Sequence, residues 1–237
     1  MRLIVTVLVT TCFFFSLPFT SMKIALIGAT GFVGSRILAE ALQRGHHVTA
    51  LVRDPAKLAQ TSDHLTVVTG DVTHVDETAR QLAGHDVVIN AFSAGWTNPN
   101  LYNDFLEGAR AIEAATEKSG VARLVAIGGA GSLYINGQQL VDGPDFPADI
   151  KPGAQAARDY HNELKTNDTL DWTFLSPAIE MHPGIDTGRT GHYRLGTESP
   201  VFNEEGRSIM SGEDLAVVIL DEVEQPKHSR QRFTAAY

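Results

Sequence analysis

Short apolar runs alternate with amphipathic segments along the chain from Met22 onwards. The short runs have the length of buried strands, and the amphipathic segments repeat their apolar residues with the period of a helix. The first such helix follows the run KIALIGA and places Val33, Ile37, Leu38 and Leu42 on one face. Strand and helix patterns then alternate with short connections, which predicts an α/β fold with a parallel sheet.

The predicted elements fit one doubly wound, Rossmann-type domain over residues 22–237. Strands are predicted at KIALIGA, HHVTALVRD, LTVVTGD, DVVINAF, ARLVAIGG and DWTFLSP. Helices are predicted at GFVGSRILAEALQRG, ETARQLAG, residues 101–119, residues 154–166 and SGEDLAVVILDEVEQP. In the last helix Ser211 is the expected N-cap and Asp214 follows three residues later, as in a capping box.

Two segments interrupt this alternation, at residues 131–153 and at residues 178–200, and both are rich in glycine and proline. They follow the fifth and sixth predicted strands. Long loops in a compact domain usually have a function, and open α/β sheets bind ligands beyond the carboxyl ends of their strands. We therefore expect both segments to be substrate loops.

Residues 1–21 form an apolar leader that precedes the predicted domain. Arg2, the apolar stretch 3–15 and a polar segment with Pro18 have the order of a secretory signal, although no A-x-A-like cleavage pair precedes Met22. The apolar stretch is shorter than the roughly 20 residues that a spanning helix needs. Three interpretations stay open: translation that begins at Met22, an export or anchor signal, and an accessory tail packed on the domain.

The composition narrows the class of protein. A chain of 237 residues with 43% hydrophobic and 20% charged residues is typical of a soluble globular domain. The net charge of -9 argues against nucleic acid as the main partner. The single cysteine, Cys12, lies in the leader, so the domain has no disulfide. The adjacent His46 and His47 would point to opposite faces of a strand, and no metal site is predicted.

The segment LIGATGFVG places Gly28, Gly31 and Gly34 between a predicted strand and a predicted helix. In a dinucleotide loop the first glycine permits the tight turn, the second lets the backbone approach a pyrophosphate, and the third allows close helix packing. The pyrophosphate then lies at the helix N-terminus. The strand before and the helix after favour this interpretation over a purely structural glycine turn.

The second predicted strand ends at Arg53 and Asp54, where a dinucleotide fold contacts the adenosine ribose. Arginine accommodates a 2'-phosphate through charge-assisted hydrogen bonds, whereas an acidic residue bonds a free 2'-hydroxyl. We therefore expect a preference for NADP(H), with NAD(H) left possible by Asp54 and with Arg53 as a solvated loop residue left as the alternative. Asp71 and Val72 follow the third strand and are expected to border the adenine.

From Met22 to Tyr237 the chain resembles the atypical short-chain dehydrogenase/reductases. In particular it resembles the NADH-flavin reductase family, which is related to biliverdin reductase B and to NmrA-like proteins. The resemblance is carried by MKIALIGATGFVGS, GGAGSL, DWTFLSPA, TGRTGHYRLG and the closing segment 211–237; the leader has no counterpart. Together with the glycine loop it implies a cofactor site formed by Gly28, Ala29, Thr30, Gly31, Phe32, Val33, Gly34, Arg53, Asp71, Val72, Ala91, Phe92, Gly128 and Pro177.

Typical short-chain dehydrogenases use a serine and a Tyr-x-x-x-Lys pair, whose side chains share a helix face and together handle a proton. Here Tyr160 and Lys165 are five positions apart, which separates them by about 140° around a helix. Reduction of a carbonyl needs a positioned acid, whereas solvent can protonate a reduced flavin. The missing pair therefore favours a flavin or quinone-like acceptor, and it equally permits a protein that only senses the dinucleotide.

Candidate residues around the acceptor come partly from the resemblance and partly from the titratable and charged residues present. Ser132 is the hydroxyl expected nearest to the nicotinamide, and Tyr160 and His182 are the other candidate catalytic groups. Trp96 is expected either to stack on a planar acceptor or simply to pack. Arg189 is expected either to bind a flavin phosphate or to hold its loop.

The sequence as a whole predicts an NAD(P)H-dependent oxidoreductase that uses flavin as a substrate and not as a bound cofactor. One alternative is a carbonyl or sugar-nucleotide reductase or an epimerase-like enzyme, and another is a non-catalytic NADP sensor. The expected partner is a small-molecule acceptor, with no nucleic acid, membrane contact only if the leader is retained, and a monomeric or homodimeric state. The expected location is the cytoplasm, with export or anchoring through residues 1–21 as the alternative.

Overall fold

The structure, a computed structural model, describes residues 20–237. Its strands are β1 Lys23–Ile27, β2 His47–Val52, β3 Leu65–Thr69, β4 Val87–Asn90, β5 Arg123–Ile127, β6 Tyr134–Ile135, β7 Gln138–Gln139, β8 Asp171–Ser176, β9 Arg194–Gly196 and β10 Gln231–Ala236. Its helices are α1 Phe32–Gln43, α2 Val75–Leu82, α3 Leu101–Ser119, α4 Lys151–Leu164 and α5 Gly212–Glu224. Residues 1–19, which make up nearly all of the leader, lie outside the described residues, so the leader stays a prediction.

Eight strands form one sheet in the order β3-β2-β1-β4-β5-β8-β10-β9. All neighbouring pairs are parallel except β9 with β10. The chain moves outward from β1 to β3 and then returns to β4, so the strand order reverses between β1 and β4. Ligands of doubly wound sheets bind at such a switch point, at the carboxyl ends of the strands. The predicted doubly wound, single-domain fold is confirmed.

Helices cover both faces of this sheet. Alternate residues of β1 point to opposite faces, so Ile24 and Leu26 join the core under α1 and α5. Ala25 and Ile27 join the core under α2, α3 and α4. A parallel sheet that is buried on both faces needs apolar residues at nearly every strand position, which is why KIALI reads as a continuous apolar run.

The segment at residues 131–153, which the sequence suggested was irregular, is more ordered than expected. It contains the β6–β7 hairpin and a short 3₁₀ turn at Leu140–Asp142, and α4 begins at Lys151 rather than at residue 154. Pro152 lies in the first turn of α4, where a proline is tolerated because the N–H at that position has no partner within the helix.

Two sheet strands were not predicted from the sequence. β9 is only three residues long, and it pairs antiparallel with β10 at the edge of the sheet. β10 extends the parallel sheet beside β8 and buries Arg232 within it. Within the described part of the chain, no helix combines the length and the apolar character that a membrane span requires.

Candidate dinucleotide-binding site

Packing of the β1–α1 turn requires two of the three loop glycines. Gly28 has a φ of 84°, and a Cβ there would lie 2.2 Å from the carbonyl oxygen of Ala91. A Cβ at Gly34 would lie 2.1 Å from the carbonyl oxygen of Gly28. No other residue fits these positions without a shift of backbone, so the loop is held tightly against the end of β4.

The start of α1 presents unpartnered backbone donors. Its N-cap is Gly31, which has no side chain to cap the helix, and the first turn contains no acidic residue. The first N–H groups of a helix have no partner within it, and the dipole is positive at that end. Thr30 and Gly31 are exposed, and Phe32 and Val33 are half-buried, while Ala29 is buried in the core. The exposed residues therefore fit a pyrophosphate, and Ala29 supports the loop from beneath.

Arg53 follows β2 and is exposed at the same edge of the sheet. Across residues 20–237 it forms no hydrogen bond or ion pair with another side chain. The neighbouring Asp54 carboxylate accepts a hydrogen bond from the Ala56 N–H at 3.1 Å and lies 3.9 Å from the Lys57 ammonium. The guanidinium of Arg53 is thus available to a ligand, whereas Asp54 is partly engaged by its own turn.

Asp71 and Val72 follow β3 and differ in exposure. The exposed Asp71 carboxylate accepts hydrogen bonds from the Thr73 N–H at 3.0 Å and the Thr73 hydroxyl at 2.8 Å. These hydrogen bonds lower the pKa of Asp71, and the positive charge of Arg53 contributes in the same direction. Val72 is buried and packs in the core under α2. Of this pair, Asp71 is the residue exposed beside Arg53.

The two aromatic residues that follow β4 have different surroundings. The ring of Phe92 packs against α3, where a Cβ at Gly108 would lie 2.4 Å from its Cε1. The ring is therefore part of helix packing, and the backbone of Phe92 is the part at the strand end. Trp96 is 64% exposed, and its ring lies against Gly153 at the start of α4.

The hydroxyl of Ser132 is enclosed between the ends of β5 and β8. Ser132 is fully buried, its hydroxyl donates to the Gly129 carbonyl oxygen at 2.9 Å, and it lies 2.9 Å from the Ser176 hydroxyl. Pro177, which follows β8, is also buried. Gly128 is required here, because a Cβ would lie 2.0 Å from Cζ of the Phe174 ring. Ser132 is close to the expected nicotinamide edge, but its hydroxyl is already satisfied.

The position of Tyr160 corrects its assignment as a candidate acid. Tyr160 is 2% exposed and packs in the core under α3 and α4, with its ring 6.4 Å from that of Phe174. Its hydroxyl forms no hydrogen bond among the described residues. Burial raises its pKa well above the ordinary value, and the nearby Glu113 carboxylate adds to the shift. Tyr160 is a core residue, because its side chain is buried where α3 and α4 pack on the sheet.

The late loop brings His182 and Arg189 to the surface by different means. His182 is exposed, and its Nδ1 accepts a hydrogen bond from the Gly184 N–H at 3.1 Å. Arg189 forms a bidentate ion pair with the buried Glu40 of α1, at 2.7 and 2.9 Å. Burial opposes ionisation of Glu40, but the hydrogen bonds from Arg189 and Arg44 hold its pKa below the ordinary value. Of the two expectations for Arg189, the structure shows the contact that holds the loop.

Asp214 of α5 fixes the next two residues of this loop. Its carboxylate accepts hydrogen bonds from the N–H groups of Thr190 and Gly191, both at 2.8 Å, and from the Tyr237 hydroxyl at 2.7 Å. Ser211 caps α5 as predicted by accepting from the Asp214 N–H at 3.0 Å. The reciprocal half of the expected capping box does not form, because the Asp214 side chain is used by the loop.

Comparison with known proteins agrees with the fold and the glycine loop. A family profile described as NAD(P)H-binding matches residues 28–226. The chain belongs to this NAD(P)H-binding family. The predicted resemblance to the NADH-flavin reductase group is thereby confirmed, and the fold is that of NAD(P)-binding oxidoreductases.

Three solved structures of similar length resemble this member of the NAD(P)H-binding family. A protein of Bacteroides thetaiotaomicron, provisionally assigned as an epimerase, is 43% identical, with 92% of this chain and 98% of that chain covered and a TM-score of 0.84. A Burkholderia pseudomallei protein, provisionally assigned as exported, is 42% identical, with coverages of 91% and 100% and a TM-score of 0.79. A Streptococcus pneumoniae protein, provisionally assigned as an NADH-flavin reductase, is 35% identical, with coverages of 91% and 99% and a TM-score of 0.79.

Two arginines of this NAD(P)H-binding protein were missed from the sequence. Arg36 lies on α1, where its guanidinium carbon is 4.1 Å from the centroid of the Phe32 ring and its Nε donates to Glu213 at 3.0 Å. Its position two residues after the third glycine is a signal that could have been used. Arg232 is buried in β10 and donates to the Ser132 carbonyl oxygen at 2.6 Å. Nothing local in the sequence indicated that contact, because 100 residues separate the two partners.

Proposed function

We propose that this protein is an NAD(P)H-dependent oxidoreductase that reduces a small planar acceptor, with a flavin as the substrate. Bound nicotinamide cofactor would supply the hydride. The polypeptide would bind the dinucleotide, align the acceptor over the nicotinamide and leave the accompanying proton to solvent.

The observation that carries this proposal is the enclosure of the hydroxyl groups expected to act as acids. The Ser132 hydroxyl is hydrogen-bonded to the Ser176 hydroxyl and the Gly129 carbonyl oxygen. Tyr160 is buried in the core. A carbonyl reductase needs a donor that reaches the substrate oxygen, whereas a flavin can take its proton from water. The arrangement therefore favours an acceptor that needs alignment more than acid catalysis.

Exposed apolar side chains in the segments that follow the strands support the same class of acceptor. Trp96 follows β4, Ile150 precedes α4 and Ile179 follows β8, and each of these large apolar side chains is exposed. Residues 131–153 and 178–200 lie in the segments that follow β5 and β8, and we propose that they border the acceptor. An exposed tryptophan offers a flat apolar surface on which a planar ring system can stack.

We propose NADP(H) as the preferred cofactor, with NAD(H) as a weaker alternative. Arg53 is exposed and has no competing partner across the described residues, and Lys57 is exposed nearby. A 2'-phosphate gains charge-assisted hydrogen bonds from a guanidinium, whereas a free ribose gains less. Asp54, which would favour the free ribose, is already engaged with Ala56.

The reaction is tested by mixing the purified protein with NADPH and, separately, with FMN, riboflavin, a quinone and an aldehyde, while nicotinamide absorbance is followed. Turnover with flavin or quinone and not with aldehyde is expected. Turnover with the aldehyde alone would replace the proposal with a carbonyl reductase, in line with the epimerase-like relative. Measurable NADPH binding with no turnover on any acceptor would replace it with a dinucleotide sensor.

We propose that the working protein is cytoplasmic, because reduced nicotinamide cofactor is abundant inside cells. The alternative is export or anchoring through residues 1–21, and the Burkholderia relative is described as exported. Mass spectrometry of the natural N-terminus, with cell fractionation, separates the two. A chain that begins at Met1 and sediments with membranes would overturn the cytoplasmic proposal.

A further inference from the structure

A second pocket, of about 360 Å³, lies on the face of the sheet covered by α4. It is bounded by α4, by the β6–β7 hairpin and by the first residues of β10. Trp172 in its wall is the second residue of β8, whereas Ser176 at the dinucleotide edge is the last. Four strand positions correspond to about 13 Å, so Trp172 lies away from the expected nicotinamide position. Arg232 in the same wall extends the pocket towards that edge, because it donates to the Ser132 carbonyl oxygen.

Positive charge predominates in this pocket. Lys165, Arg230 and Arg232 line it, and Glu198 is the single carboxylate among its lining residues. Arg232 forms an ion pair with Glu198, while the exposed Lys165 has no ion-pair partner within residues 20–237. Arg230 is held by the backbone carbonyl oxygens of the neighbouring turn. An excess of two cations therefore faces a partly enclosed volume, where charge interactions are stronger than in bulk water.

Two buried polar groups of the wall are left without partners. Arg232 is 5% exposed, and its Nε forms no hydrogen bond among the described residues. His161 is 4% exposed, and its Nδ1 is likewise unpartnered. Burial and the charges of Arg232 and Lys165 lower the pKa of His161 to about 3, so the ring is neutral near pH 7. Buried polar groups are normally hydrogen-bonded, so two unpaired ones among the residues that line one pocket are unusual.

Aromatic side chains complete the wall. Trp172 and His161 pack edge to face with centroids 6.2 Å apart, and the Arg232 guanidinium lies 5.5 Å from the centroid of the Tyr134 ring. The pocket thus places two aromatic side chains, the half-buried Tyr134 and the buried Trp172, beside cationic donors. Such a combination suits a compact molecule that has an apolar body and one anionic end.

We propose that this pocket binds a small organic oxyanion, a carboxylate or a phosphate ester, whose charged end pairs with Arg232 and Lys165. Its body would contact Trp172 and Tyr134. The pocket shares no lining residue with the dinucleotide loop, although residues of both proposed substrate loops line it. Its ligand is tested by binding alone, so failure of the proposed reaction would leave this proposal standing.

Fluorescence of Trp172 tests the proposal in the full chain. The protein has two tryptophans, so Trp96→Phe leaves Trp172 as the sole reporter. The probes are benzoate, phenyl phosphate, inorganic phosphate and the neutral benzamide, with calorimetry as a second readout. We expect saturable binding of benzoate or phenyl phosphate and at least about tenfold weaker binding of benzamide. Binding of inorganic phosphate alone would overturn the proposal of an organic ligand, because the apolar body would then contribute nothing to affinity.

Variants of Arg232 and Lys165 test whether the affinity for the anionic probes depends on these two positive charges. Arg232→Gln is expected to weaken binding of the anionic probes by about tenfold or more, and Lys165→Gln by about threefold to tenfold. Lys227→Gln is the control, because Lys227 is an exposed lysine outside the pocket, and it should leave the affinity unchanged. If Arg232→Gln does not fold, the exposed Lys165 variant carries the test. Absence of saturable binding by any probe, equal affinity for benzamide and benzoate, or unchanged affinity in the folded cation variants would overturn the proposal.

Discussion

The hydroxyl oxygens of Ser132 and Ser176 lie 2.9 Å apart in the protein interior and join the ends of β5 and β8. The Ser132 hydroxyl also donates to the Gly129 carbonyl, so it accepts from Ser176. Ser176 has no other hydrogen-bond partner for its hydroxyl within residues 20–237. The two serines are therefore not equivalent, although each is fully buried.

We predict that Ser132→Ala destabilises the fold more than Ser176→Ala. Ser132→Ala leaves the Ser176 hydroxyl buried and unpaired, which should lower the free energy of unfolding by about 1–3 kcal/mol. Ser176→Ala leaves the Ser132 hydroxyl bonded to the Gly129 carbonyl, so it should lower the free energy of unfolding by only about 0.5–1.5 kcal/mol. The double variant should cost less than the sum, as measured by denaturant unfolding in a double-mutant cycle. Flavin reduction by folded Ser132→Ala should stay within about threefold of wild type, and a loss of 100-fold or more would indicate acid catalysis by Ser132.

Gly34→Ala and Gly31→Ala should separate the packing of the loop from its binding of the cofactor. A Cβ at residue 34 meets the Gly28 carbonyl at 2.1 Å, so Gly34→Ala should lower the free energy of unfolding by about 1–3 kcal/mol. At residue 31 the nearest atom would be 3.3 Å away, so Gly31→Ala should fold normally and mainly weaken NADPH binding. Thermal unfolding and NADPH titration measure the two effects, and an equal loss of stability in both variants would contradict the distinction.

Arg53→Ala should weaken NADPH binding by about tenfold to 100-fold and leave NADH binding nearly unchanged. The physical reason is that the guanidinium would contact only the 2'-phosphate. Asp54→Asn is the matched control on the adjacent residue and should have a small effect on NADPH. Titration of each variant with both cofactors is the measurement, and equal losses for NADPH and NADH in Arg53→Ala would remove this role.

Trp96→Ala should raise the KM for flavin with little change in stability. The side chain is 64% exposed, so its removal leaves no cavity in the protein. The flavin would lose its stacking on the indole ring, which contributes about 1–3 kcal/mol of binding free energy. Val67→Ala is the control, because Val67 is also exposed but lies on the edge strand β3 far from β8. Steady-state kinetics with FMN would contradict the stacking role if both variants behaved like wild type.

Titration of His161 should make the fold sensitive to acid. Its folded pKa of about 3 lies below the unfolded value of about 6.5, so between these values the unfolded chain binds a proton that the folded chain does not. The stability from the neutral ring is present above pH 6.5 and is lost as the pH falls towards 3. Between pH 6.5 and 4 the wild-type protein should lose more free energy of unfolding than His161→Phe does, by on the order of 2 kcal/mol. Urea unfolding at each pH measures this difference. Parallel curves of unfolding free energy against pH for the two proteins would refute this role of His161.

The parts of the fold that were predictable depend on local patterns. α3 was predicted at its observed limits, since a long amphipathic run ended by Gly120 is a strong local signal. β9 and β10 were missed, because β9 has three residues and β10 begins with the polar residues Gln231 and Arg232. Pairing with β8, and not the sequence of β10 alone, makes it a strand.

In the candidate site, too, the residues set by local sequence were predictable, whereas those set by contacts between distant residues were not. The glycine loop and Arg53 follow directly from strand ends, so their positions could be predicted from spacing. The Ser132–Ser176 pair and the Arg232–Ser132 contact join residues 44 and 100 positions apart. The burial of Tyr160 depends on how α4 packs on α3 and the sheet, which a single helix pattern does not reveal.

The carboxylate of Asp214 has a consequence for ligand entry. It ties Thr190 and Gly191 to α5, while Arg189 ties the same loop to α1. Residues 189–191, anchored to both helices, have already lost conformational entropy before a ligand arrives. An acceptor would then meet a preorganised surface, and its affinity would not be diminished by the cost of ordering that segment.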